Sequence, residues 1–260
     1  MANGGRLGAR NVPGVDGVGG VWSLREIANA RRAGRWTFLP VVAGVLRWYE
    51  ADALALSDGA AVSSWTDRSA AADHAVQADG AKQPIYKVGI FNGHAVVRFD
   101  GSNDFMQFAE ILDSSGSTAH FFVVAKSNAT GDRGILSTRS GGTSGWSMRY
   151  SAPTGLLYYH TNNSPNIGYT VTDQFNVIEV QRNGLTVTLG ANGTLGTPTA
   201  ISGYAASSEN RTTIGSESGS STGPAYLAGD IAEIVIYDRV LSTDDRNTLL
   251  TYLQDKYAIT

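Results

Sequence analysis

Three Asn-Gly dipeptides constrain the fold of this chain more than any other feature, because each lies between segments typical of β-strands. Asn183-Gly184 separates the apolar residues 177–180 from the alternating residues 185–189, and Asn92-Gly93 and Asn192-Gly193 repeat the pattern. Asn-Gly between such segments is the strongest short-range signal for a β-hairpin. The sequence therefore predicts antiparallel strand pairing.

Strand-like segments follow one another from residue 41 onward, with turn residues rather than long helices between them. A continuous apolar run such as 121–125 is typical of a central strand. The predicted strands are 45–49, 95–99, 105–108, 121–125, 146–150, 156–159, 175–180 and 234–237. This spacing favours an all-β, two-sheet antiparallel sandwich over an α/β fold.

A helix is predicted near the carboxyl end of the chain. Ser242 is placed to cap it, and Asp244 and Asp245 lie in its first turn, where acidic side chains stabilise a helix. The residues that share one face of this helix are Arg246, Leu249, Leu250, Leu253 and Tyr257. We expect this amphipathic helix to pack back on the sandwich.

Residues 1–40 differ from residues 41–260 in charge and in glycine content. They carry six arginines against two acidic residues, or +4, which leaves −7 for the remainder of a chain with net charge −3. Arginine suits forked contacts with carboxylates and carbonyls, although a solvated basic face is the alternative. The 260 residues thus fit one large β domain and a small N-terminal segment that faces a different partner.

A short helix is predicted over about residues 23–33, within this Gly-rich and Arg-rich segment. Its signals are a capping box of Ser23 and Glu26, a hydrophobic staple of Trp22 and Ile27, and a stop at Gly34. A helix of roughly ten residues is marginal alone in water, so we expect it to dock on another surface. The candidate anchoring residues are Trp22, Arg25, Ile27, Arg31, Arg32, Arg35 and Trp36.

Several classes of protein are disfavoured by what the sequence lacks. It has no cysteine, and we find neither a secretory signal nor an apolar run long enough to span a bilayer. The basic segment is short and the large domain is acidic, so we expect no nucleic-acid partner. The four histidines are widely separated and favour structural or surface roles: His74, His94, His120 and His160.

Three blocks of residues 41–260 resemble the laminin G-like, concanavalin A-like jelly roll. They are residues 46–54 with 59–69, residues 95–104, and residues 229–242. The chain has Ala70-Ala-Ala-Asp73 where members of this family normally have Gly-Asn after the Asp-Arg-Ser block. The resemblance implies a two-sheet sandwich used for adhesion, often to sugars and sometimes with calcium.

The N-terminal block resembles the leader segments of tailed-phage virion proteins. The matching residues are Trp22-Ser-Leu-Arg-Glu26, Ala30-Arg-Arg-Ala-Gly34 and Trp36. In those proteins such a segment precedes an unrelated display domain. A virion protein is assembled in the host cytoplasm and released by lysis, so the resemblance also makes the missing export signal expected.

No catalytic residues are predicted. Sugar-cleaving relatives of this sandwich use two carboxylates on one face of a strand, commonly as Glu-x-Asp-x-x-Glu, and this string is absent from the sequence. Glu233 and Asp238 stand at an odd spacing that directs them to opposite faces of a strand. We interpret Glu233 as an outward or hydrogen-bonded strand residue.

The segment Asp100-Gly-Ser-Asn-Asp104 is a weak calcium candidate, because Asp100, Ser102 and Asp104 offer alternating oxygens. Phe105 and Ile111 occupy the positions that an EF-hand loop reserves for glycine and glutamate, so that motif is excluded. The alternative is a tight turn in which Asp and Asn cap their own backbone. We expect no other cofactor or metal.

Aromatic and amide side chains crowd two neighbouring strands and their loop, a composition suited to stacking and hydrogen bonding with sugars. The candidate glycan-binding residues are Trp146, Tyr158, Tyr159, His160, Asn162, Asn163 and Tyr169. The alternative is an aromatic core with a polar turn, because large aromatic residues in strands mostly serve packing.

These observations favour a non-enzymatic phage virion structural protein of the decoration, head-fibre or tail-fibre type. Residues 1–40 would bind other virion proteins, and residues 41–260 would display a jelly roll, with host-surface glycan as a second partner. We expect a homo-oligomer or symmetric array without membrane insertion. The alternatives are a cellular carbohydrate-binding adhesion module and, less favoured, a polysaccharide-degrading enzyme.

Overall fold

The computed structural model describes residues 42–112, 114, 116–128, 131–139, 144–151, 156–161, 167–201, 210–217 and 225–260, with the backbone alone for 156–161. Two antiparallel sheets dominate these residues, which confirms the predicted all-β sandwich. The nine-stranded sheet contains β1 (Val45–Glu50), β4 (Ile85–Phe91), β5 (His94–Asp100), β7 (Thr118–Ser127), β12 (Asn176–Asn183), β13 (Thr186–Ala191), β14 (Thr194–Leu195), β15 (Thr199–Ala200) and β19 (Ala228–Tyr237). The eight-stranded sheet contains β2 (Ser64–Trp65), β3 (Ala75–Val76), β6 (Met106–Ala109), β8 (Arg133–Ser137), β9 (Trp146–Ser151), β10 (Leu156–Thr161), β11 (Ile167–Thr170) and β16 (Arg211–Ile214). The remaining elements are a hairpin of β17 (Ser216–Glu217) and β18 (Ala225–Tyr226), the 3₁₀ turns Ala51–Ala53 and Gly80–Lys82, and the helix α1 (Thr243–Tyr257).

The strand order alternates between local hairpins and long crossings. The nine-stranded sheet runs β14-β13-β12-β7-β19-β5-β4, with β1 added to β19 and β15 to β13, and the eight-stranded sheet runs β11-β10-β9-β8-β16-β6-β3-β2. Neighbours such as β7 and β19 are far apart in the chain, whereas β8, β9, β10 and β11 are consecutive. This mixture of hairpins and crossings is that of a jelly-roll sandwich.

The Asn-Gly dipeptides at residues 92–93, 183–184 and 192–193 lie at hairpin turns, as predicted. Asn92 and Gly93 both have positive φ (49° and 86°) between the paired residues Phe91 and His94, and Asn192-Gly193 repeats this (50° and 86°). Both are therefore type I′ turns. The third hairpin pairs Asn183 with Thr186, so its turn residues are Gly184 and Leu185, of which only Gly184 has positive φ. Glycine at the first turn position alone is the type II′ arrangement.

The core lies between the two sheets and is filled by alternate residues of each strand. Tyr49 and Phe121 reach into it from the nine-stranded sheet, and Phe108 and Trp146 from the eight-stranded sheet. The ring centroids of Tyr49 and Phe108 are 5.3 Å apart, and those of Phe121 and Trp146 are 5.2 Å apart. The period of two in strand side chains thus gives each sheet one core face and one outer face.

Helix α1 packs back on the sandwich, as the sequence predicted, and it lies on the outer face of the nine-stranded sheet. The Ser242 hydroxyl accepts a hydrogen bond from the Asp245 N–H (3.2 Å) and caps the helix, which ends at Ala258 in left-handed conformation. Its buried residues are Leu249, Leu250, Tyr252, Leu253 and Tyr257, so Tyr252 joins the predicted set. We call this outer face the covered face; its polar residues are Trp48, Glu50, His120, Glu179 and Glu233.

Some predictions concern residues outside the described ranges. The anchoring helix over residues 23–33, its seven candidate residues and the boundary between residues 40 and 41 all stay predictions. Within the described ranges, no helix combines the length and the apolar character needed to cross a membrane.

Candidate functional site

Two carboxylates of the covered face are neutralised by a buried lysine. Lys256 Nζ lies 2.5 Å from Glu50 Oε1 and 2.7 Å from Glu233 Oε2. Glu233 also accepts hydrogen bonds from the indole N–H of Trp48 (2.8 Å) and the hydroxyl of Tyr257 (2.9 Å). Burial, followed by the Glu233 charge, raises the pKa of Tyr257, so its hydroxyl remains a donor. Glu233 is therefore a fully paired residue, which agrees with the interpretation from the sequence that it is hydrogen-bonded.

Glu50 and Glu233 are close enough to invite comparison with a glycosidase pair. Lys256 Nζ contacts one oxygen of each, at 2.5 Å and 2.7 Å, so the two carboxylates are near neighbours, as are the catalytic carboxylates of retaining enzymes. Yet Glu50 is 3% exposed and Glu233 0%, and Arg68 pairs with Glu50 while lying 3.9 Å from the Trp48 ring. A substrate would have to displace α1 to reach them, so the geometry favours a structural role.

A second buried cluster joins α1 to the sheet at His120, Glu179 and Arg246. The Leu241 N–H donates to His120 Nδ1 (3.2 Å), which leaves Nε2 as the protonated nitrogen of a neutral ring, donating to Glu179 Oε1 (2.7 Å). Arg246 holds the same carboxylate by two bonds (2.5 and 2.7 Å). Burial lowers the pKa of His120. Burial alone would raise the pKa of Glu179, but its bonds to His120 and Arg246 hold it below the ordinary value.

The calcium candidate forms a self-capped turn between β5 and β6. The Asp100 carboxylate accepts hydrogen bonds from the N–H groups of Ser102 (2.7 Å) and Asn103 (3.2 Å), and Asp104 accepts from the Asp100 N–H (2.9 Å). Burial raises the pKa of Asp104 to about 6. This is the alternative that the sequence offered, and the described residues contain no cluster of three or more His, Asp or Glu side chains suited to a metal. Calcium at Asp100 and Asp104 stays a prediction.

The structure distributes the predicted glycan-binding residues over different environments. Trp146 is fully buried in the core, and its indole N–H donates to the Ile111 carbonyl (3.2 Å). Its inclusion in a ligand surface was wrong, because no ring face is left for a sugar. In the strand register, Tyr158 is paired with Arg149 and Gly168, Tyr159 with Met148 and Ile167, and His160 with Ser147. The side chains of Tyr158, Tyr159 and His160, and residues Asn162 and Asn163 as a whole, lie outside what the structure describes.

Tyr169 lies at the mouth of a cleft of about 260 Å³ that we call the β11 cleft. The cleft opens between edge strand β11 of one sheet and strands β13 and β15 of the other. Its lining residues are Ile167, Gly168, Tyr169, Leu189, Gly196, Thr197 and Thr199. Tyr169 is half-buried against the core, and the cleft offers one aromatic ring and three hydroxyls, those of Tyr169, Thr197 and Thr199. The β11 cleft therefore has the composition expected of a small polar ligand site.

A larger cavity of about 410 Å³ lies where β1 and β7 begin. Its lining includes Arg47, Glu110 and Asp238. The Arg47 guanidinium donates to Asp73 (2.6 Å) and to the Leu46 carbonyl (2.7 Å), so both of its terminal nitrogens are engaged by the protein itself. Of the two cavities, the β11 cleft is the one that contains a sequence-predicted binding residue.

Comparison with known proteins identifies the fold and leaves the family open. No protein-family profile matches the chain, and no curated protein has a significantly similar sequence. Among solved structures, botulinum neurotoxin type C, whose entry into cells depends on interaction with two ganglioside molecules, matches 88% of this chain with a TM-score of 0.58 at 12% identity. The binding domain of Paraclostridial Mosquitocidal Protein 1 matches 81% with a TM-score of 0.57 at 11% identity.

A third structure, the binding domain of botulinum neurotoxin DC in complex with rat synaptotagmin II, matches 82% of this chain with a TM-score of 0.53 at 10% identity. This chain covers 53%, 52% and 52% of the three solved chains, or about half of each. At such low identity the likeness establishes a shared β-sandwich fold and nothing about function.

Proposed function

We propose that residues 41–260 form a non-enzymatic glycan-binding domain, displayed on a phage virion through residues 1–40. The observation that carries the binding role is the contrast between the closed, charge-paired covered face and the open β11 cleft, where Tyr169, Thr197 and Thr199 meet solvent. Sugar rings stack on aromatic side chains, and their hydroxyls bond to hydroxyl and backbone groups.

Two lines of support accompany this proposal. The resemblance to laminin G-like jelly rolls implies adhesion. In addition, the cell entry of one protein with the same fold, botulinum neurotoxin type C, depends on interaction with two ganglioside molecules. The virion role is supported separately, by the resemblance of residues 20–36 to phage leader segments. Assembly with other virion proteins, in an oligomer or array, would raise a modest affinity through multivalency.

The binding role is tested with the purified full chain on an array of immobilised neutral and sialylated oligosaccharides. Retention of at least one saccharide class, with no release of reducing sugar from soluble polysaccharides, is the expected result. Absence of retention on every saccharide would overturn the binding role. Polysaccharide cleavage that disappears in Glu233→Gln would instead favour the hydrolase alternative.

The virion role is tested by incorporation into particles. Trp22→Ala or deletion of residues 1–40 should abolish incorporation, while the melting temperature of the jelly roll stays unchanged. A cellular adhesion module would keep its localisation after this deletion, and normal incorporation of the truncated chain would contradict the anchor.

A further inference from the structure

We infer that the β11 cleft accepts one neutral pyranose ring and rejects acidic sugars. This inference rests on the proposed glycan-binding function and specifies its site and ligand class. It follows from three properties of the cleft: the charge of its lining, the position of Tyr169, and its volume.

The lining of the β11 cleft is uncharged. None of its described residues is Asp, Glu, Lys, Arg or His. A sialic acid or uronic acid carboxylate that entered such a site would leave water without a compensating cation, which costs several kcal/mol. Neutral sugar hydroxyls make no such demand, because each can donate and accept a hydrogen bond.

Hydrogen-bonding groups suited to hydroxyls are available at the cleft. The Thr199 hydroxyl donates to the Thr197 carbonyl (3.2 Å), which orients its oxygen and leaves that oxygen able to accept from a ligand. Strand β11 ends the eight-stranded sheet, so alternate N–H and C=O groups along it face away from β10. The cleft thus presents hydroxyls, amide donors and carbonyl acceptors within one short surface.

The position of Tyr169 depends on the glycine opposite it. A Cβ at Gly196 would lie 3.0 Å from Cδ2 of Tyr169 and 3.1 Å from the Leu189 carbonyl oxygen, both closer than ordinary contact. Glycine therefore allows the Tyr169 ring to approach the chain closely at the cleft. Gly196 has no positive φ, so alanine strains no backbone angle there and acts through these two contacts, with the Tyr169 ring and with the Leu189 carbonyl.

The volume of the cleft limits the ligand to one ring. About 260 Å³ falls just below the roughly 300–1,000 Å³ typical of sites for drug-sized ligands. A longer oligosaccharide would therefore place a single residue in the cleft and extend the others into solvent.

The experiment measures binding of methyl glycosides of glucose, galactose, mannose and N-acetylneuraminic acid to the full chain, by saturation-transfer NMR and calorimetry. We expect a neutral glycoside to bind and Tyr169→Ala to weaken this binding roughly fivefold, since an aromatic contact is worth about 1 kcal/mol. Gly196→Ala, which disturbs the ring without removing it, should weaken binding by a smaller factor. Tyr226→Ala, at a half-buried tyrosine outside the cleft, is the matched control and should leave affinity unchanged.

The possible failures are distinguishable. Preference for N-acetylneuraminic acid, or neutral binding unchanged in both Tyr169→Ala and Gly196→Ala, would overturn this inference while glycan binding stood. Absence of binding to any glycoside here and to any oligosaccharide on the array would overturn the proposed function itself. Thermal melting of each variant confirms that it is folded, and if Tyr169→Ala does not fold, Gly196→Ala alone decides.

Discussion

The covered face and the β11 cleft both contain polar side chains, but they differ in whether those side chains are paired with charged partners. On the covered face, Glu50, Glu233 and Glu179 are each neutralised by a cation within 2.7 Å and enclosed by α1. In the cleft, Thr197 and Thr199 stand at an open edge without a charged neighbour in the lining. The first region satisfies its own polar groups, whereas the second is the one that we propose binds a ligand.

This difference teaches that charge density is a poor guide to the functional surface of this fold. The charged residues of the covered face are enclosed by α1 and position that helix, because a buried carboxylate must be paired to be tolerated. The uncharged cleft is the part where chemistry remains available. Substituting one group at a time in each region tests this difference.

Removing Lys256, the cation shared by two carboxylates of the covered face, should have the largest effect. Lys256→Met leaves Glu50 and Glu233 buried without their common partner, so we expect the free energy of unfolding to fall by about 3–5 kcal/mol. Equilibrium urea denaturation measures this loss. Lys82→Met, which breaks the exposed pair with Asp79, is the matched control and should change stability little.

A small effect would contradict the structural role of the covered face. If Lys256→Met cost less than about 1 kcal/mol, water would have to reach the two carboxylates as it does at an exposed pair. The covered face would then be an accessible site, and the hydrolase alternative would regain support.

Acidification should loosen α1 through His120. Burial lowers the pKa of His120, so the unfolded chain takes up the proton first as the pH falls through about 6.5, the ordinary histidine value. Stability from this group is present above that pH and is lost below it, with a slope of up to about 1.4 kcal/mol per pH unit. Glu179, whose pKa is held low, adds a further loss below about pH 4.3.

The measurement is the urea midpoint at pH 7.5, 6.5 and 5.5 for the wild type and His120→Gln. Glutamine keeps a donor for Glu179 and cannot take up a proton, so the variant should lose stability at neutral pH but show a flatter pH dependence. Equal slopes in the two proteins would assign the acid sensitivity to other groups.

Backbone strain is present in the loop between β2 and β3. Ala72 has φ of 50° in the loop whose Asp73 binds Arg47, at the place where the resembling family has Gly-Asn. A left-handed conformation costs a residue with a Cβ about 1–2 kcal/mol, so Ala72→Gly should stabilise the fold by roughly 0.5–1 kcal/mol. Ala71→Gly, next to it and without positive φ, should destabilise by roughly 0.5 kcal/mol. Thermal melting distinguishes the two signs.

Much of the fold could be predicted because its signals are local. The Asn-Gly turns, the apolar run of β7 and the Ser242 cap each depend on residues adjacent in the chain, and all three predictions were confirmed. The pairing of β7 with β19 could not be predicted, since these strands are about a hundred residues apart and share only their apolar character. Ala72 illustrates the same limit, because its strain follows from contacts of the surrounding loop.

The candidate site was predicted less well, for reasons that the strand geometry explains. Alternation separates neighbouring residues onto two faces, so a cluster in sequence such as Trp146 with residues 158–169 is divided between core and edge. Thr197, Thr199 and Gly196 were missed because they come from the other sheet. The covered face was also missed, since Glu50, Glu233 and Lys256 meet only in the folded chain.

Substituting a residue of the β11 cleft should have the smallest effect on stability. Thr199→Val keeps the shape of the side chain and removes one hydroxyl at a partly exposed edge, so the free energy of unfolding should change by less than about 0.5 kcal/mol. Affinity for a neutral glycoside should fall a few-fold, whereas Thr186→Val, an exposed threonine on neighbouring β13, should alter neither quantity. A loss of stability above about 1.5 kcal/mol would instead mean that the Thr199 hydroxyl supports the structure of the sheet edge, as the charged groups of the covered face support the packing of α1.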